Sequence, residues 1–174
     1  LYDKFYILDN IGNYSFASHK VVWKPISGAI TGKATSFACA ALGPITDQYT
    51  SNKPIIPEHS LILVECSSSA EAFYLCGILN STPVRLAVAS YSYELGGYTH
   101  VTSYIRIPKF DPENVLHRSL SELAIQAHSI AKKIYEEKKE EIRDELEKVE
   151  DEIDRVVAEL YGLSDDELAE IKRF

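Results

Sequence analysis

Beyond Pro112 the chain carries a pattern that few folds can accommodate. Leu116, Leu120, Leu123, Ala127, Ile130 and Ile134 recur at alternating steps of four and three, and Ile142, Leu146, Val149, Ile153, Val156 and Leu160 do the same. Such a repeat lines one face of an α-helix with apolar side chains, the a/d arrangement by which helices pair. The two series are one residue out of phase, because 134 to 142 is a step of 8 where a heptad needs 7. No Gly, Pro or Asn interrupts "YEEKKEEIRDEL", so the spacing predicts either one long helix over about 116–161 or two helices meeting near 136–140. A continuous helix of that length would run about 69 Å and could not bury its stripe on a small domain alone. Gly162 ends the pattern, and Ser164 with Glu167 forms a capping box for a short helix at about 165–172.

The first 110 residues read differently. Short runs rich in β-branched or aromatic residues, bounded by Gly, Pro, Asn or Ser, predict strands at 5–8, 20–26, 36–42, 61–66 and 101–107. Between the last two, Ser68 or Ser69 can cap a helix with Glu71 in its first turn and Ala72, Leu75, Cys76 and Leu79 as its stripe, ending near Asn80. Thr82-Pro83 starts a second helix to about Tyr91, and Gly96-Gly97 forces a loop. The expected fold class is therefore α+β. A mixed or antiparallel sheet with one or two packed helices fills a domain over 1–112, and a long coiled-coil-like helical appendage follows over 113–174.

With 174 residues, 45% of them hydrophobic, the chain suits one domain or one domain with an appendage. It starts at Leu1 and has no Met, so a segment of a longer polypeptide is expected. It holds no apolar run of the roughly 18 residues a membrane span needs, so no membrane partner and a cytoplasmic location are expected. The net charge of −8 is unevenly spread: residues 1–135 hold 11 Lys+Arg and 10 Asp+Glu, while 136–174 hold 7 and 16. The acidity belongs to the tail, which leaves the first part free to meet nucleic acid, although a nearly neutral surface binds phosphates weakly.

Several chemistries are excluded by spacing. "GAITGKAT" (28–35) imitates a phosphate-binding P-loop, but three residues rather than four separate Gly28 from Gly32, and Ala34 stands where a magnesium-binding hydroxyl belongs. It reads as a connection between strands, or as a loop touching some other phosphate-bearing ligand. Cys39, Cys66 and Cys76 lack C-x-x-C spacing and read as buried, reduced thiols. His117 and His128 can share a helix face but stand too far apart for one metal. "EEK" at 136–138 matches a fragment of metal-dependent nucleases, yet it sits in a helical charge run and reads as a solvated face. Asn80-Ser81-Thr82 fits a glycosylation sequon, which an intracellular chain does not use. No catalytic or metal-binding constellation is legible, so the chain alone is not expected to be an enzyme.

Three stretches carry a resemblance: "YSFASHKVVWKPISG" (14–28), "EAFYLCGILNSTPVR" (71–85) leading into "SYIRIPKFDPENVLH" (103–117), and "EIDRVVAELYGLSDDEL" (152–168). In that order the chain resembles the C-terminal target-recognition region of adenine-specific DNA methyltransferases, and most of all type IIG restriction-modification enzymes and their stand-alone methyltransferase relatives. The resemblance implies a parent that is a DNA adenine methyltransferase, with or without a fused restriction endonuclease. Its S-adenosylmethionine site and Asn-Pro-Pro-Tyr-type motif would lie in an upstream methyltransferase domain, as would any Mg-dependent nuclease; neither motif occurs here. This chain would then be the reader of double-stranded DNA. Lys20, Lys24, Lys33, Thr35 and Ser36, with Tyr93, Tyr98, Thr99 and His100 in the 93–102 segment, supply the cations, hydroxyls and polar groups that read phosphates and base edges. Two other readings stand beside it: a protein-interaction module docking a partner helix on the heptad stripe without touching DNA, and a segment that completes an active site whose other half lies upstream.

Overall fold

The computed structural model describes residues 12–25, 37–58, 60–95 and 101–173, with 91–95 defined by backbone alone. Three short strands, β1 (His19–Trp23), β2 (Cys39–Leu42) and β3 (Ile62–Cys66), form an antiparallel sheet in the order β2-β1-β3. The central position of β1 explains its sequence: Val21, Val22 and Trp23 are all buried, while the edge strands β2 and β3 keep residues exposed. Trp23 meets Phe37 edge-on, with ring centroids 6.3 Å apart. The sheet is thus antiparallel, with strands shorter than the sequence patterns at 20–26, 36–42 and 61–66. The strand expected at 5–8 lies outside the described residues.

The strand expected at 101–107 does not form. Val101–Tyr104 is a short helix, α3 in chain order, and an irregular segment follows. The carbonyls of Arg106 and Pro108 accept hydrogen bonds from the hydroxyls of Tyr161 (3.2 Å) and Tyr74 (3.0 Å) instead of from a strand. Phe110 packs on Tyr74, and His117 Nδ1 accepts from the Asp111 N–H at 3.0 Å. The apolar alternation that imitates a strand comes from Ile105 and Ile107 packing against the core, while Pro108 has no N–H to give a sheet ladder.

Helix α1 (Ser69–Asn80) is capped by Ser68 Oγ, which accepts from the Glu71 N–H, while the Glu71 carboxylate accepts from the Ser67 N–H at 2.6 Å. It buries Ala72, Tyr74, Cys76, Gly77, Ile78 and Leu79, residues on every side of the helix. A helix apolar all round is an internal one. The sheet covers one flank of α1 and α4 (Val115–Glu137) the other. Ser121 Oγ donates to the Ala70 carbonyl at 2.9 Å, and a Cβ added to Gly77 would stand 3.3 Å from Ala124 Cβ. The α1 and α4 backbones therefore approach as closely as small residues permit. Helix α2 (Thr82–Leu95) leaves α1 at a bend of 63° measured over Ser69–Asn80 and Thr82–Ser90.

The heptad series resolves into two helices rather than one rod. After α4, α5 (Arg143–Tyr161) folds back along it, and α6 (Asp165–Ile171) carries the Ser164–Glu167 capping box. Every residue of both series is buried or half-buried, so the stripe is consumed inside the fold. Side chains from β1, α1, α2, α4 and α5 join one hydrophobic cluster. The expected coiled-coil appendage is replaced by a helical hairpin built into the same core, because α4 buries a second row, His117, Ser121 and Ala124, against α1.

The phase break falls where the hairpin turns. Lys138 caps α4 in the left-handed region at φ 57° and ψ 36°, a conformation that the absence of Gly leaves to a lysine. Lys138→Gly is expected to raise stability by about 1 kcal/mol, because the Cβ penalty at this exposed position disappears. Urea denaturation measures it, and a loss of stability would show that the turn is not strained.

Candidate nucleic-acid interface

The β1–β2 connection, 24–38, carries four of the nine residues expected to touch DNA: Lys24, Lys33, Thr35 and Ser36. Lys24 is exposed just past the end of β1. Lys33, Thr35 and Ser36 lie outside the described residues, as do Tyr98, Thr99 and His100 in the α2–α3 connection. Tyr93 falls within α2, its side chain outside the described residues as well.

Lys20 must be withdrawn from the interface. It is 1% exposed, and its Nζ donates to the carbonyls of Ser15 (3.0 Å) and Ile55 (2.6 Å). Burial pulls the pKa of this ammonium below the ordinary lysine value. A lysine on a central strand has no solvent side to reach from, so it ties the segments around 15 and 55 to the sheet instead.

Beside the β1–β2 connection a cleft of about 590 Å³ opens between β2, α1, α2, α4 and α5. Asn80, at the end of α1, treats Cys39 as a strand partner: its Oδ1 accepts from the Cys39 N–H at 3.0 Å and its Nδ2 donates to the Cys39 carbonyl at 2.9 Å. The same Nδ2 lies 3.3 Å from Cys76 Sγ, and the Cys39 and Cys76 sulfurs are 3.8 Å apart. The sequon asparagine is thus engaged inside the fold. Across the cleft, buried Asp154 accepts from the Thr82 N–H at 2.7 Å, capping α2, and lies 3.1 Å from Lys172 Nζ, which also holds Asp151 at 2.6 Å. Burial disfavours the Lys172 charge, but the two carboxylates outweigh it and raise its pKa.

This cluster leaves no local mark in the sequence because its members are distant in the chain. Cys39 and Cys76 are 37 residues apart, Thr82 and Asp154 are 72 apart, and only the packing of α1 between sheet and hairpin joins them. The Cys76–Asn80 spacing on one helix face was the signal present. The remaining expectations are simpler. His117 and His128 both face α1, against Tyr74 and Phe73, and among the described residues no group of His, Cys, Asp or Glu could hold a metal. Glu136, Glu137 and Lys138 are exposed, as a solvated charge run should be.

The α5 wall is acidic. Burial, reinforced by Asp154, Glu147 and Asp151 and opposed by Arg85, raises the pKa of Glu150. An acid with a raised folded pKa holds its proton more tightly when folded, so the native state loses stability as pH rises from the ordinary glutamate range through that raised value. Glu150→Gln should therefore melt at a higher temperature than the parent chain at pH 7, and the gain should vanish below the ordinary glutamate pKa. A gain that persists in acid would place its origin outside this carboxylate. These charges also make the cleft a poor site for phosphate.

Comparison with known protein families, curated proteins and solved structures returns no match for this chain.

Proposed function

We propose that the chain is a target-recognition domain that reads double-stranded DNA for an adenine-specific methyltransferase or a type IIG restriction-modification enzyme. The observation that carries the reading is where the three resembling stretches fall. They build the scaffold: β1 in the centre of the sheet, the α1–α2 junction, the 105–110 segment tied to Tyr74 and Tyr161, and the α5–α6 hairpin. In the sequence, 29–36 and 96–100 fall between these stretches and carry Lys, Thr, Ser, Tyr and His. A reader needs that division, because base contacts must vary between specificities while the frame that aims them stays rigid. Exposed Lys24 adds a cation just before the first segment, and the acidic residues of α5 and α6 repel phosphates.

The rival reading, a partner helix docked on the heptad stripe, has less support, since α4 and α5 already bury that stripe against each other and α1. Calorimetry separates the proposals. Titrated at low salt, the isolated chain should bind duplex DNA weakly, with affinity falling as salt rises, and should give no saturable heat with S-adenosylmethionine. Saturable cofactor binding would move the boundary between reader and transferase into this chain.

A further inference from the structure

Two thiols the sequence presents as inert are placed to react with each other. Cys39 at the start of β2 and Cys76 on α1 have their sulfurs 3.8 Å apart, so modest side-chain rotations would bring them to the ~2.05 Å of a disulfide. Each sulfur also points at the other residue's carbonyl, at 3.7 and 3.6 Å, which orients the pair face to face across the β2–α1 contact. Both line the cleft, which is open to small solutes, and Cys39 is only half-buried. Cys66 lies on β3, outside the cleft lining.

We propose that Cys39 and Cys76 are a peroxide-reactive pair that closes into an intramolecular disulfide, stapling β2 to α1. The Asn80 amide at 3.3 Å and the Cys39 sulfur at 3.8 Å both donate toward Cys76 Sγ, which marks it as the attacking sulfur. The Cys39 S–H, the Ala41 N–H and the Asn80 amide all donate toward it and lower its pKa against the opposing effect of burial, whereas burial first, then Glu71, pushes Cys66 up to about 12. Cys76 Sγ attacks one oxygen of hydrogen peroxide and the O–O bond breaks; the released hydroxide leaves as water, and Cys76 becomes a sulfenic acid. Cys39 Sγ then attacks the Cys76 sulfur, an S–S bond forms, and the hydroxyl departs with the Cys39 proton as a second water. Two thiols lose two electrons in all, and one peroxide is reduced to two waters.

Hydrogen peroxide added to the reduced full chain, followed by intact mass and non-reducing peptide mapping, tests this directly. The expected product has lost two hydrogens, joins the Cys39 and Cys76 peptides, leaves Cys66 free, and melts about 10 °C higher until dithiothreitol is added. Cys39→Ser should stop at a sulfenic acid on Cys76 that dimedone traps, with Cys39→Ala as a second variant of the same meaning should serine disturb the strand. Reaction at Cys66 first, chain-to-chain disulfides, or oxidation of Cys76 without a linked peptide in the parent chain would each overturn the proposal.

Discussion

Asp154→Ala should destabilise the chain by about 3 kcal/mol, the largest loss expected from any single polar side chain here. Removing the carboxylate uncaps α2 at Thr82, a change that costs about 1 kcal/mol in typical helices. It also strips a buried partner from Lys172. Breaking a buried pair costs about 3–5 kcal/mol, and the figure is lower here because Lys172 is partly exposed and keeps Asp151. Asp154→Asn preserves an acceptor for the Thr82 N–H and should lose only about half as much. Urea denaturation of both variants checks the account, and equal losses would mean that the charge matters and the cap does not. The physical stake is the joint between α2, α5 and α6, where Asp154 is the α5 side chain that touches both the start of α2 and Lys172.

The second large effect is expected on function. On the proposed reading, Lys33→Ala in the full-length protein should weaken DNA binding roughly tenfold or more, in one of two distinguishable ways. At a phosphate contact it weakens all sequences alike and lowers the salt slope by about one ion, whereas at a guanine edge it costs about 1 to 3 kcal/mol on the cognate site alone. Lys20→Ala is the informative contrast. That lysine is sealed against two carbonyls, so its loss should reduce stability by about 1–3 kcal/mol while leaving sequence preference intact. If Lys33→Ala changes neither affinity nor preference, the β1–β2 connection only joins strands, and reading rests on 93–102.

What the sequence disclosed depended on whether its signal was local. The Ser164–Glu167 box, the Ser68 cap and the step of 8 between Ile134 and Ile142 are short-range facts, and helix starts and the hairpin break fall where they indicate. The break itself needed a left-handed lysine that no residue preference announces. Ile105 and Ile107 misled because burial alternates along any segment lying on a core, and only the tyrosine hydroxyls 34 and 55 residues away decide that no sheet ladder forms. Lys20 misled for a related reason: a lysine near the start of a strand reads as a cation available to DNA until β1 proves to be central and the side chain buried. The heptads named the buried positions on both helices but not the contact of α4 with α1, since the small residues Ser121 and Ala124 that bring α4 onto α1 lie outside the a/d series.

The central claim, that this scaffold presents its connections to duplex DNA, is tested most directly by amide chemical-shift mapping of the chain titrated with duplex oligonucleotides at low salt. The account predicts shifts concentrated at Lys24, 26–36 and 96–102, fading as salt is raised, with the acidic α5–α6 hairpin unmoved. Shifts confined to the hairpin, or none with any duplex at the lowest salt, would contradict it.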